Sequence, residues 1–151
     1  MAVGKYAAAL GLFLFCCQGL GAFDLEYGTL FRVRAITLKQ DRPVLPLTRG
    51  KYANVRVLDK ATFETLKACS SLCRQEKGAG ELQIRSFRVA KTRAGMWIAD
   101  VAVDQKWLLT FLVFQKEGQF SFVVPQAVTV LDSSWLSRVE QLLRAQVPVE
   151  K

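Results

Sequence analysis

Apolar and polar residues alternate along much of the chain after residue 22, and this period of two predicts β-strands. In residues 28–38, apolar side chains alternate with Arg32 and Arg34, and residues 51–58 repeat the pattern around Arg56. The first of these segments should turn one face inward, formed by Phe31, Val33 and Ala35. Between the two strands, Pro43 and Pro46 exclude a central strand from the connecting segment.

The second half of the chain continues as strands joined by short turns. The predicted strands are 81–90, 96–103, 107–114, 120–124 and 126–131. In the first of them the parity of the apolar positions changes near Ser86, which predicts a β-bulge. The sequence QKEGQ joins the third to the fourth, and this pair is the clearest hairpin in the chain.

Two segments change to helical spacing. Asp59 is a candidate N-cap for a short amphipathic helix that continues through CSSLCRQ and ends at KGAG, residues 77–80. Asp132 is a candidate N-cap for a C-terminal amphipathic helix over 132–146. The apolar stripe of that second helix is formed by Trp135, Leu136, Val139, Leu142 and Leu143. We expect the stripe to pack on the sheet, and the alternative is that it binds a partner or a membrane surface.

Together these elements predict a mainly β fold, an antiparallel β-sandwich or β-rich α+β domain with six or seven strands and two short helices. Residues 23–151 are long enough for a single domain with its own core.

The first 22 residues have the order of a secretory signal peptide. Lys5 precedes a short apolar run, and small residues follow at Gly19, Gly21 and Ala22. The apolar run is shorter than the roughly 20 residues of a membrane-spanning helix. We therefore expect cleavage after Gly21 or Ala22, with an uncleaved anchor as the alternative, and no transmembrane segment in the mature chain. The expected location is the secretory pathway, either the endoplasmic-reticulum lumen or the extracellular space.

Cys69 and Cys73 are the two cysteines that remain after the leader. In an oxidising compartment such a pair usually forms a disulfide, and residues four apart in a helix lie within its reach. We expect this disulfide at a helix end or across a turn. Two buried free thiols, or a redox or metal role, are the alternatives, although the spacing is not C-x-x-C.

The chain contains no histidine, which restricts its chemistry. A Ser-His-Asp triad, a Cys-His pair and a histidine metal site are excluded, so acid–base work would depend on carboxylates or lysines. Asp100 and Asp104 were considered as a carboxylate pair, but they fit better as outward residues of a strand and its turn. We predict a non-enzymatic protein with no cofactor and no metal.

The net charge of +8 favours anionic partners, or serves solubility alone. Several arginines recur on predicted strands, and neighbouring strands would bring them to one outer face that holds phosphate, sulfate or a protein partner. The candidates are Arg32, Arg34, Arg56, Arg85 and Arg88. The alternative is a solvated sheet face. A secretory signal makes nucleic acid an unsuitable partner.

The order of three short motifs resembles the luminal domain of subunit ten of the endoplasmic-reticulum membrane protein complex. YANVRV (52–57) precedes KACSSL (67–72), and ELQI (81–84) follows. The resemblance covers about half of the mature chain and implies a signal peptide, a β-sandwich and a non-catalytic luminal subunit that packs on sister subunits. The chain departs from that family in lacking its C-terminal membrane helix and in the position of Cys73.

Three hypotheses follow. The first is a binding or scaffold domain of the secretory pathway with a protein partner. The second is a secreted basic ligand that binds a receptor or a sulfated polyanion. The third, and least favoured, is a small hydrolase that uses carboxylates such as Asp100.

Overall fold

The computed structural model describes residues 21–46, 55–69, 71–91 and 93–149. Most of the predicted leader, residues 1–20, and half of the predicted strand 51–58 lie outside these ranges. The described chain is mainly β, as predicted. The strands are β1 (Phe23–Tyr27), β2 (Phe31–Lys39), β3 (Arg42–Val44), β4 (Val55–Val57), β5 (Cys73–Gln75), β6 (Leu82–Val89), β7 (Met96–Val103), β8 (Trp107–Lys116), β9 (Gln119–Val123) and β10 (Val128–Val130). The helices are α1 (Lys60–Lys67) and α2 (Ser133–Gln146).

The strands form two sheets. The first sheet has the order β10-β2-β1-β5, with β3 pairing to the far end of β2. The second sheet has the order β4-β8-β7-β6, with β9 also pairing to β8. The pairs are antiparallel except β1 with β5, which is parallel. The predicted antiparallel character is confirmed, and β1–β5 is the exception among the described strands.

Both sheets and the C-terminal helix share one hydrophobic core. At its centre the ring of Phe31 lies 5.2 Å from the ring of Tyr27, 6.3 Å from Trp107 and 5.2 Å from Trp135. Tyr27 and Phe31 belong to the first sheet, while Trp107 belongs to the second and Trp135 to α2. A single core between two sheets is the layer arrangement of a β-sandwich.

Helix α2 begins and ends where the sequence predicts. The side chain of Asp132 accepts hydrogen bonds from the backbone N–H of Ser134 at 2.9 Å and of Trp135 at 3.4 Å, which satisfies the free donors of the first turn. Three stripe residues are fully buried and two are partly buried against the core: Trp135, Val139 and Leu143, then Leu136 and Leu142. The stripe therefore packs inside the fold, as expected.

Helix α1 begins at the predicted N-cap but ends earlier than predicted. Asp59 accepts from the N–H of Thr62 at 3.1 Å, and the helix stops at Lys67 instead of continuing toward residue 77. The next residues leave the helix and pair along β1 as strand β5, which satisfies backbone groups that β1 would otherwise expose.

Two details of the strands differ from the alternating pattern. Ala35 does not continue the inward face of β2: it lies in the left-handed region at φ 58° and is exposed, and Ile36 takes the buried position. The side chain of Asp24 accepts the N–H of Ala35 at 3.0 Å. Strand β1, which contains Asp24, was not predicted from the sequence at all.

The predicted bulge near Ser86 is confirmed by a register shift between Ile84 and Ser86.

Candidate functional site

The strand register defines which side chains share the outer face of the second sheet, the face turned away from the core. Directly opposed residues on neighbouring strands lie on the same side of a sheet. The register gives five rows: Gln83–Ala102–Leu108–Arg56, Ser86–Asp100–Thr110, Arg88–Ile98–Leu112–Val123, Met96–Phe114–Ser121 and Lys116–Gln119. We refer to these rows as the second-sheet outer face.

Apolar side chains occupy most of the centre of the second-sheet outer face. The set is Met96, Ile98, Ala102, Leu108, Leu112, Phe114 and Val123. None of them belongs to the core cluster that the two sheets enclose. Ile98 is 2% exposed and Ala102 is 0% exposed, whereas Val123 at the edge is 51% exposed. Ile98 and Ala102 are thus covered by neighbouring side chains, whereas Met96, Leu108, Leu112 and Phe114 are partly exposed. The centre is a surface of low relief, and no part of the core cluster of the described residues includes it.

One polar row crosses this apolar surface. Asp100 accepts a hydrogen bond from the Thr110 hydroxyl at 2.7 Å and forms an ion pair with the Arg88 guanidinium at 3.0 Å. Arg88 also donates to the hydroxyl of Ser86 at 2.9 Å. The Asp100 side chain is 16% exposed, so most of its hydrogen bonding is satisfied within the row. Asp100 is therefore a structural partner of Arg88 and Thr110, and it lies on the outward face that the sequence predicts.

Cations surround the apolar centre. Arg56 lies at the β4 edge, Arg88 lies at the β6 edge, and Lys116 lies at the end of β8. Arg85 lies in the bulge of β6, outside the five rows, and contacts the side chain of Gln105, which donates to Gln83 in the first row at 2.6 Å. All four cationic side chains are exposed. Since the single carboxylate of these rows is paired with Arg88, the second-sheet outer face is positively charged.

The outer face of the first sheet has a different composition. Its central row is Arg74–Glu26–Arg32–Thr129. Glu26 pairs with Arg32 at 2.5 Å and with Arg74 at 3.4 Å. These polar side chains give this face a solvated surface with internally paired charges.

The structure therefore divides the five arginines predicted to share a face. Arg32 and Arg34 lie on the first sheet, where Arg32 pairs with Glu26 and Arg34 donates to the carbonyl of Gln126. The other three, Arg56, Arg85 and Arg88, lie on the second sheet. Strand β2 is not a neighbour of β4 or β6, so the condition for one common arginine face is not met.

Cys69 and Cys73 form a disulfide with their Cα atoms 5.8 Å apart. The bond joins the end of α1 to the start of β5. Nearby, the Gln75 side chain donates to the hydroxyl of Thr62 at 2.8 Å and accepts from Trp107 Nε1 at 3.0 Å. The disulfide and Gln75 together attach β5 to the helix and to the second sheet, which is a structural role at the predicted place.

Tyr27 and Asp104 connect the two sheets. The Tyr27 hydroxyl donates to the Asp104 carboxylate and accepts from the N–H of Gly78 at 2.9 Å. Burial, together with the bond to Asp104, raises the pKa of Tyr27 from 10.0 to about 12. Burial alone would raise the pKa of Asp104, but the Tyr27 hydroxyl and backbone N–H groups of residues 78–81 hold that pKa below 3.8. Both shifts favour the protonated Tyr27 and the ionised Asp104.

A cavity of about 350 Å³ lies beside the first sheet, lined by Ala22, Phe23, Asp24, Arg32, Ser71 and Leu72. The charge of Arg32 is already balanced by Glu26.

Among the described residues, no three side chains of the His, Cys, Asp and Glu types lie close enough to hold a metal ion. None of the helices in the described ranges has the length and the apolar character needed to cross a bilayer.

The comparisons with known proteins find no match. No protein-family model, no curated protein and no solved structure matches this chain.

The apolar second-sheet outer face was not predicted from the sequence. The signal was present in residues 107–114, which are apolar at every position except Thr110. A strand that is apolar on both sides is typical of one that is covered on both faces. In this fold the core covers one face, which leaves Leu108, Leu112 and Phe114 as a surface available to a partner.

Proposed function

We propose that the chain is a non-enzymatic binding or scaffold domain of the secretory pathway. The observation that carries the proposal is the apolar second-sheet outer face, seven apolar side chains outside the core cluster. Five of the seven, all except the buried Ile98 and Ala102, are partly or largely exposed. An apolar patch rimmed by polar groups is characteristic of an interaction surface. The Cys69–Cys73 disulfide supports an oxidising compartment.

The narrower form of the proposal is a luminal subunit of a membrane-protein complex. Its support is the resemblance of residues 52–57, 67–72 and 81–84 to subunit ten of the endoplasmic-reticulum membrane protein complex. In such a complex the second-sheet outer face would pack on a sister subunit.

Site-specific photo-crosslinking in cells tests this function. A benzophenone amino acid is placed at Leu112 on the second-sheet outer face, and at Thr129 on the first sheet as the matched control, with residues 1–22 left intact. We expect a protein of the secretory pathway to crosslink at position 112 and not at 129. Retention of the chain in the cytosol, or equal crosslinking at both positions, would overturn the proposal.

A secreted ligand for a sulfated polyanion is the second candidate. The observation in its favour is that Arg56, Arg85 and Arg88 share one outer face with Lys116. Heparin affinity chromatography separates the two candidates. If the protein binds a sulfated polyanion, it loses retention on heparin when Arg56 and Arg85 are replaced by Glu. It keeps that retention when Arg32 and Arg34 are replaced by Glu. Recovery of the secreted protein from medium with salt-sensitive retention of this kind favours the second candidate over the first.

A further inference from the structure

The second-sheet outer face combines two features that restrict what can bind there. One is an apolar centre of low relief, and the other is a border of cations. The inference below rests on the proposed binding function and adds the chemical nature of the partner.

The charges at the border are not neutralised from within the face. Asp100 is the single carboxylate on the five rows, and it is bound by Arg88 and Thr110. Arg56, Arg85 and Lys116 have no ion pair with a described carboxylate. A neighbouring acidic residue, Glu117, lies beyond the rows in the turn after Lys116. A partner that covers the apolar centre must therefore approach an excess of positive charge.

The low relief of the apolar centre favours a protein segment over a lipid surface. A membrane surface accepts side chains that protrude by several ångströms into its apolar layer. Here Ile98 and Ala102 are covered by their neighbours, and the most exposed apolar residue of the face, Val123, lies at the edge. A flat apolar surface of this kind is suited to a protein partner whose side chains pack across it, as at the centre of protein interfaces.

We propose that the second-sheet outer face binds a protein segment with an apolar stripe flanked by carboxylates. The stripe packs on Leu108, Leu112 and Phe114, and the flanking carboxylates pair with Arg56 and Arg85 at opposite edges of the sheet. Complementary charges at the rim select the partner and suppress segments with basic flanks. The Arg88–Asp100–Thr110 row fixes the sheet side chains beneath the segment.

The test uses three synthetic peptides of about 18 residues, or about five helical turns. The first peptide has a Leu stripe flanked by Glu. The second has the same Leu stripe flanked by Lys, and the third has the same Glu residues with Ser in place of each Leu. Binding to the disulfide-bonded protein is measured by fluorescence anisotropy. We expect the first peptide to bind at least about tenfold more tightly than either of the others.

Variants of the protein locate the site. The single variants Val123→Asp and Leu112→Asp should each lower the affinity for the first peptide at least about tenfold. The double variant Arg56→Glu with Arg85→Glu should lower it by a similar factor. The matched controls lie on the first sheet: Val44→Asp for the apolar change, and Lys39→Glu with Arg42→Glu for the same change in net charge. These controls should leave binding unchanged. Circular dichroism shows whether each variant is folded, and Val123→Asp, at an exposed edge position, keeps the test valid if Leu112→Asp unfolds.

Three results would overturn the inference. They are equal affinity for the Glu-flanked and Lys-flanked peptides, loss of binding in the first-sheet controls, and binding to phosphatidylserine vesicles without binding to the first peptide. The crosslinking experiment separates this failure from that of the proposed function. A partner crosslinked at position 112 together with no preference for the Glu-flanked peptide would leave the binding function standing and refute the acidic partner.

Discussion

The two outer faces of this sandwich differ although both cover the same core. On the first sheet, the row Arg74–Glu26–Arg32–Thr129 is polar throughout and its charges pair with each other. On the second sheet, the middle of the outer face is apolar and its cations lie at the border. A sheet face that is polar and internally paired is suited to water, whereas an apolar face with unpaired charges at its rim is suited to a partner.

The largest expected effect comes from removing the core that holds both faces. Phe31 is fully buried and contacts aromatic rings from the first sheet, the second sheet and α2. Phe31→Ala should lower the free energy of unfolding by about 3–5 kcal/mol, because it removes buried area and leaves a cavity. Urea unfolding followed by tryptophan fluorescence measures the change. A loss below about 1 kcal/mol would show that the two sheets do not depend on this one cluster.

The next largest effect on stability distinguishes the buried polar row of the second sheet from the exposed ion pairs of the first sheet. Asp100→Ala leaves the hydroxyl of buried Thr110 without its acceptor, and we expect a loss of about 1–3 kcal/mol. Glu26→Ala on the first sheet should cost about 0–1 kcal/mol, because its partners Arg32 and Arg74 are 35% and 78% exposed and can turn to water, which the Thr110 hydroxyl cannot. Both are measured by urea unfolding at low and high salt. Equal losses for the two variants would remove this distinction between the faces.

A smaller effect concerns the Tyr27–Asp104 link between the sheets. Because the folded pKa of Tyr27, about 12, lies above its unfolded value of 10.0, the contribution is fully present below pH 10 and is lost as the pH rises toward 12. Tyr27→Phe should flatten the decline of the urea midpoint between pH 9 and 11 relative to the unaltered protein. The acid side has the opposite sign: the lowered pKa of Asp104 gives stability that is lost as the pH falls below about 4. Parallel alkaline slopes for both proteins would mean that lysines alone cause the decline.

The smallest effect is expected at the edge of the second-sheet outer face. Val123→Ser removes an apolar side chain that is 51% exposed and lies outside the core cluster. We expect the free energy of unfolding to change by less than about 0.5 kcal/mol. Thermal unfolding checks this. A larger loss would show that Val123 contributes to folding and is not chiefly part of a binding surface.

The elements that local signals define were predicted well. Asp59 and Asp132 begin their helices, the bulge lies near Ser86, and the hairpin around Gly118 is present. Each depends on residues that are close in sequence, such as a cap side chain and the N–H group two or three residues later. The mainly β fold class followed from the same local alternation.

The features that depend on distant contacts were missed. Residues 73–75 form strand β5 and not a further helical turn because β1, almost 50 residues earlier, offers a pairing edge. Whether two strands belong to one sheet is also decided by long-range pairing, so the alternation around Arg32 and Arg56 could not show that they lie on different sheets. The apolar outer face was missed for the same reason, since an apolar run such as 107–114 does not reveal which side the core covers.

The strand order also has a consequence for how the chain folds during synthesis. Strands β6 to β9 follow one another from Leu82 to Val123 and pair as successive hairpins, so most of the second sheet can form from local contacts. The first sheet is different, because its β10 pairs with β2 across about 100 residues of chain. On a ribosome, the apolar second-sheet strands emerge and pair before Val128–Val130 and α2 exist to complete the core. Until those residues emerge, the core side of the second sheet lacks the contacts of α2, and an incompletely covered apolar sheet is prone to aggregation.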